Sequence, residues 1–258
     1  MIDKLYKEFA EYYAKIASDR NYKDHLDIIL ESYEPEHQCH TLLELFAGQA
    51  LHSINASKRN SIDVWAIDSS AELRQVALVN GFKNQGQYLV GHLPEAILDY
   101  VGKVKFDCII CLSLSIAHLN KKSVYELLYN IKEVLNEKGK VFIEVDDIRA
   151  IMEYLQSGAP ISYYEVQDTN GDHIKYAWPS NKMKFNHYSH TAEVPVKVII
   201  ESTTGTESME FISEENMYGA DDILFIADLL GYNGRILSKE DQWAKAFENT
   251  VVIELSHN

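Results

Sequence analysis

Three side chains stand where they could do chemistry: an acid inside one apolar run, an acid ending the next, and a histidine just beyond a third. The first run, Thr41-Leu42-Leu43-Glu44-Leu45-Phe46, stops at Ala47-Gly48-Gln49-Ala50. Small residues at 47, 48 and 50 let a ligand approach the backbone closely, and Glu44 beside them favours a cationic group such as an α-amine. Asp68 ends the second run, Ile62 to Ile67. A carboxylate there can accept both hydroxyls of a ribose, or simply belong to an ordinary strand-to-helix turn. His118 follows the third run, Phe106 to Leu112. An amine must lose a proton before it can attack carbon, and a side chain titrating near neutrality suits that task; capping the next helix is the plainer use of His118. The first loop has one glycine, so the G-x-G-x-x-G pattern that seats a dinucleotide pyrophosphate is missing, which counts against NAD.

The elements that would hold these residues follow from periodicity. Tyr6, Phe9, Tyr13 and Ile16, then Leu26, Ile29, Leu30 and Tyr33, recur at helical spacing, with Glu34-Pro35 closing the second helix. Strands are expected at 41–46, 62–67, 88–90, 106–112 and 140–145. Helices are expected at 49–60, 71–80 (with Gly81 as C-cap), 94–100 and 123–135 (capped by Gly139). This alternation implies an α/β fold with a parallel sheet covered on both faces. From 159 to 212 Tyr, His, Val and Thr alternate with period two and Asn170-Gly171 signals a hairpin, so an antiparallel β insertion is expected there. A helix at 221–230 with Gly231 after it and a strand at 250–255 complete the sheet. The expected division is an N-terminal helical cap at 1–36, an α/β core at 37–158 and 213–258, and the insertion at 159–212.

The 258 residues include 24 Lys+Arg against 39 Asp+Glu, a net charge of −15. That surface repels phosphate backbones, so no nucleic-acid partner is expected. No apolar run is long enough to cross a membrane, and no secretory or transit signal opens the sequence. Three cysteines suit a reducing, cytoplasmic setting.

With these stretches in order, the sequence resembles the class I S-adenosylmethionine-dependent methyltransferases. Leu42 to Gly48 is similar to the family's first motif, Val64 to Ser70 to the second, Phe106 to Leu112 to the fourth, and Leu135 to Ile143 to the turn and strand after it. The resemblance covers residues 40–146 and implies that the sheet is Rossmann-like, doubly wound, mostly parallel and seven-stranded. It also implies that S-adenosylmethionine binds and leaves as S-adenosylhomocysteine, with Glu44 and Gly48 on its methionine half, Asp68 on the ribose and His92-Leu93 flanking the adenine. Phe46, Ala47, Ser69 and Leu112, from the same motifs, complete the implied cofactor contacts. Ser113-Leu114-Ser115-Ile116-Ala117-His118-Leu119 resembles the S-S-I-G-H-L segment of the nucleotide-linked amino-sugar N,N-dimethyltransferases, and Tyr13, Tyr22 and His52 are also similar to that group. On that likeness His118 is the general base, Tyr13 caps the site, and the substrate is a small-molecule acceptor, an amine.

Three departures are visible. The group's G-K-G-K-D-Y lid sequence is replaced by Ala17 to Tyr22. The family's second loop glycine is Ala50 here, which is tolerable if its backbone angles are ordinary. Gly91-His92 stands where the family often has an acid, so adenine recognition is expected to be rearranged. Methylation of oxygen, or a non-catalytic S-adenosylmethionine-binding or scaffold protein, stay open as alternatives.

Other constellations are discounted. Cys108-x-x-Cys111 lies within a strand and points to opposite faces. His37-x-x-His40 and His187-x-x-His190 lack further ligands at a recognisable spacing, so no metal is expected, although Asp146-Asp147 could hold Mg²⁺ in an O-methyltransferase. Tyr163, Tyr164, Tyr176, Trp178, Phe185 and Tyr188 could wall an acceptor pocket, form a homodimer face or simply pack a sheet, and Tyr218 could face the pocket.

Overall fold

The computed structural model describes residues 1–33, 38–59, 61–157, 160–167 and 171–258. The Glu34-Pro35 helix end, His37, Asn170 of the hairpin signal and the expected boundary at 158/159 lie outside the described residues.

Short apolar runs ended by small or polar residues become β1 (Thr41–Leu45), β2 (Asp63–Asp68), β3 (Tyr88–Val90), β4 (Phe106–Cys111) and β5 (Leu135–Asp146). All five run parallel. Near the C-terminus β11 (Tyr232–Ile236) and β12 (Thr250–His257) are added, and β12 runs antiparallel to both β5 and β11. The sheet order is β11-β12-β5-β4-β1-β2-β3. The chain leaves β1 toward β2 and β3 and returns on its other side as β4, so the topological switch point lies between β1 and β4. Open α/β sheets bind ligands there. Helices α4 (Leu51–Ser57), α5 (Ala71–Val79), α6 (Lys121–Ile131), α8 (Ala220–Leu229) and α9 (Asp241–Ala246) accompany the strands, and α7 (Ile148–Ser157) follows β5.

Alternate side chains of the strands feed two cores. Leu43, Leu45, Ile109 and Cys111 join the cluster on one face; Leu42, Cys108, Ile110 and Phe142 join the cluster on the other. The two cysteines are therefore buried in opposite faces.

The insertion forms a second, antiparallel sheet of β6 (Tyr164–Gln167), β7 (His173–Ala177), β8 (Lys184–Asn186), β9 (Thr191–Ser202) and β10 (Gly205–Asn216). Its apolar face carries Val196, Val198, Ile200 and Phe211 and packs on Ile2, Leu5 and Ile16. Those last residues belong to the N-terminal segment, which contains α1 (Asp3–Tyr6), α2 (Ala10–Ile16) and α3 (Tyr22–Glu31). Each buried Val, Leu or Ile in this contact contributes about 1.5–3 kcal/mol.

Four expectations change. Gly139 does not cap a helix; α6 ends at Ile131, and Gly139 lies inside β5, where a Cβ would stand 2.8 Å from the Phe106 carbonyl oxygen. The first helical stripe is broken between α1 and α2 at Lys7. Strand β11 escapes the sequence pattern because its middle three residues are exposed at the sheet edge. Helices α7 and α9 are also additional.

Candidate active site

Beyond the carboxyl ends of β1, β2 and β4 lie two adjoining cavities. The larger, about 420 Å³, is lined by Tyr13, Phe46, Gly48, Asp68, Ser69, His92, Leu93 and His118, with Asp3, Tyr6, Lys7, Ile212 and Glu214 among the residues that close it. The smaller, about 50 Å³, is lined by Tyr13, Tyr22, Glu44, Phe46, Ala47, Gly48, His52 and Leu112, with Arg20 and Ser115. Every residue singled out from the sequence for catalysis or cofactor contact thus touches one cavity or both.

The loop after β1 is the hinge of the arrangement. Its backbone enters the left-handed region at Phe46 (φ 52), Gly48 (φ 53) and Ala50 (φ 55). Ala50 therefore lacks the ordinary backbone angles expected of it; an L-residue in that region is disfavoured by roughly 1–2 kcal/mol. The loop after β4 repeats the feature at Ser113 (φ 60) and Leu114 (φ 58). Sparsely populated conformations concentrate where ligands are clamped.

Side chains hold these loops in place. Asp68 Oδ2 accepts the Gly48 N–H at 2.8 Å and Oδ1 accepts the Ser70 N–H at 2.8 Å. Burial raises the Asp68 pKa, and these backbone donors oppose the rise. Glu44 is only 5% exposed. Its Oε1 lies 2.8 Å from His52 Nδ1 and its Oε2 accepts the Ser53 N–H at 2.9 Å. His52 packs edge-on against Tyr22, with ring centroids 4.7 Å apart. Gln49 Nε2 donates to the Ala14 carbonyl, which ties the loop to α2.

His118 closes a short 3₁₀ turn after β4. Loss of solvent around the ring lowers its pKa below the ordinary value, while Asp3 pulls the other way. The shift favours the neutral form of the imidazole. Tyr6 packs against it edge-on at 6.0 Å, and Phe46 lies 6.4 Å away. Tyr13 packs edge-on against Tyr6 at 4.7 Å.

Tyr6 and Arg20 escaped the sequence reading as site residues. Tyr6 shares the aromatic stripe of Tyr13, which was the available signal; Arg20 sits in the Ala17–Tyr22 stretch noted only as a departure. Arg20 interacts with Tyr13, Tyr22 and Glu144.

Two assignments are corrected. Tyr218 is 2% exposed and its hydroxyl donates to the Leu119 carbonyl at 2.6 Å, so it is a core residue behind the cavity. The insertion's aromatic residues do not line the larger cavity; Ile212 and Glu214 of β10 do. Tyr176 instead donates to Asp19, and Trp178 to Glu215. Among the described residues no group of three or more His, Cys, Asp or Glu is placed to hold a metal ion, and the Asp147 carboxylate faces Arg149.

A S-adenosylmethionine-dependent methyltransferase from Clostridium acetobutylicum ATCC 824 superposes with a TM-score of 0.72 at 18% identity, over 97% of this chain and 98% of its own. The fold is that of the S-adenosylmethionine-dependent methyltransferases. A sugar N-methyltransferase from Streptoalloteichus sp ATCC 53650 is similar at a TM-score of 0.70 and 13% identity, covering 97% and 93% of the two chains. An amino pentose methyltransferase from Micromonospora echinaspora, solved with its cofactor bound, gives 0.69 at 10% identity over 96% and 95%. The methyltransferase fold is thus shared over nearly the whole length, second sheet included. No protein-family model matches the chain, and no curated protein matches it in sequence. No helix among the described residues is long and apolar enough to cross a membrane.

Proposed function

We propose that this protein transfers a methyl group from S-adenosylmethionine to a small-molecule acceptor, an amine, with His118 as the general base. The observation that carries the reading is the convergence of Asp68, the left-handed turn at Phe46 and Gly48, and His118 on one cavity at the switch point.

The residues present fit the cofactor. Asp68 spends one hydrogen bond per oxygen on backbone donors, and a carboxylate offers about four lone-pair sites, so ribose hydroxyls can still be accepted. Ser69, His92 and Leu93 lie along the same cavity for the base. In the smaller cavity Arg20 offers a guanidinium to the methionine carboxylate, and Glu44, steadied by His52, offers the anion for the α-amine. Bound there, S-adenosylmethionine supplies a methyl group already made electrophilic by its sulfonium.

The protein's own share is binding, positioning and one proton. His118 accepts the acceptor's ammonium proton, which frees the nitrogen lone pair. Tyr6, Tyr13 and Phe46 screen the site from water and present aromatic faces, which favour positive charge.

Parallel calorimetric titrations with S-adenosylmethionine, S-adenosylhomocysteine and NAD test the cofactor. Binding of the first two and not the third is expected; no binding of either adenosyl compound refutes the reading and leaves a scaffold role. His118→Ala should preserve cofactor affinity while lowering turnover of an amine by about 10²–10⁴-fold. In the parent protein kcat/KM should fall as acid protonates His118, with an apparent pKa below that of an ordinary histidine. Unchanged turnover in the variant removes the base assignment.

A further inference from the structure

On the methyl-transfer reading, from which this inference starts, the surface of the larger cavity also specifies the charge of the acceptor. Asp3, Asp68 and Glu214 line it, and Lys7 is the one lysine or arginine among the described residues that does so. Asp68 holds the Gly48 and Ser70 N–H groups and is assigned above to the cofactor's ribose, which leaves Asp3 and Glu214 to meet the acceptor. Asp3 is near enough to His118 to favour its protonated form. Glu215, the neighbour of Glu214 on β10, acts on the Tyr6 hydroxyl and is held by the Trp178 indole N–H at 3.2 Å.

Between these carboxylates stand aromatic faces. Tyr6 lies 6.0 Å from His118 and 4.7 Å from Tyr13, and Phe46 lies 6.4 Å from His118. Aromatic faces attract a cation within about 6 Å of the ring centre, and carboxylates attract ammonium while repelling phosphate. Size points the same way. A volume of about 420 Å³ lies toward the small end of the ~300–1,000 Å³ that houses one drug-sized ligand, yet this cavity must admit both a nucleoside and the acceptor.

The geometry points to an acceptor that is a compact organic ammonium without a phosphate group, received against the rings of Tyr6, Tyr13 and Phe46 with Asp3 and Glu214 as its counter-charges. A nucleotide-linked form of the same amine is disfavoured by charge.

Matched probes test this. Glucosamine and UDP-glucosamine carry the same amine, one without and one with a nucleoside diphosphate, and n-propylammonium carries the charge alone. Each is titrated calorimetrically into the protein saturated with S-adenosylhomocysteine. Free glucosamine and n-propylammonium should bind at least about ten-fold more tightly than UDP-glucosamine. The double variant Asp3→Asn/Glu214→Gln, changed only at two exposed side chains, should bind S-adenosylhomocysteine as before and lose that preference. Equal or tighter binding of UDP-glucosamine overturns the inference, as does an unchanged preference in the double variant or no binding of either free ammonium. Failure to bind S-adenosylhomocysteine appears before any amine is added, and it overturns the methyl-transfer reading together with this one.

Discussion

Asp68→Asn separates the two tasks given to that carboxylate. Its oxygens accept the Gly48 and Ser70 N–H groups, each at 2.8 Å. An amide oxygen can serve one of these donors, and the amide NH₂ then confronts the other. The loss is one hydrogen bond to a charged group, about 1.5–3 kcal/mol, and it leaves a donor without an acceptor, a further ~1–3 kcal/mol if water cannot reach it. Opposing this, the amide avoids the desolvation that raises the Asp68 pKa. The net expectation is a destabilisation of about 2 kcal/mol in urea unfolding at pH 7, with an unchanged m-value. The sign of the pH dependence follows from the raised pKa. As pH falls, native Asp68 takes up its proton before the unfolded chain does, so the parent gains stability that the asparagine variant cannot, and the gap between the two proteins widens. Affinity for S-adenosylhomocysteine should fall about ten- to hundred-fold, one charged hydrogen bond's worth. A stability change within about 0.5 kcal/mol, the range of an inconsequential surface substitution, together with unchanged affinity, would refute both roles.

Asp146 at the end of β5 has its carboxyl pushed up to about 6 by burial, with Glu215 and Glu144 adding repulsion. Because the folded value lies above the unfolded one, ionised Asp146 destabilises the native state above pH 6, and the penalty disappears as pH falls toward 4. Asp146→Asn should therefore raise the urea midpoint at pH 8 and leave it unchanged at pH 4; a gain equal at both refutes the assignment. Gly139→Ala would set a Cβ 2.7 Å from Leu135 Cδ1 and 2.8 Å from the Phe106 carbonyl oxygen. A destabilisation of about 1–3 kcal/mol is expected from such overpacking, read by thermal or urea unfolding, and a neutral result would mean that β5 shifts freely.

The parallel half of the fold was legible because its strands are buried on both faces and stop abruptly: 41–46, 62–67, 88–90 and 106–112 appear within a residue or so of β1 to β4. The positions of Asp68 and His118 were legible for the same reason, since each lies just beyond such a run. Edge elements were not. Tyr232–Ile236 shows no apolar alternation because only Tyr232 is buried, and Gly139 reads as a helix cap unless one knows that the Phe106 carbonyl presses against it. Tertiary contacts also hid the placement of Tyr6 beside His118 and of Arg20 near Glu144, since both of those partners are distant in sequence. The left-handed angle at Ala50 is invisible in an alanine, a residue that ordinarily avoids it.

The cover of the cavity is made from parts of the chain that are synthesised far apart. Leu5 and Ile16 pack on Val196, Val198 and Phe211, and Asp19 accepts its bond from Tyr176, 157 residues later. Emerging from a ribosome, Ile2, Leu5 and Ile16 lack the apolar sheet they pack on until the insertion follows, and β5 lacks β12 until the last residues are made. Such long loop closures fold late and slowly. A chain stalled midway would carry β1 to β4 with an exposed amphipathic N-terminus, a form suited to chaperone capture or aggregation. The same distance makes the larger cavity depend on late synthesis, because its wall at Ile212 and Glu214 joins the N-terminal residues only after β10 is made.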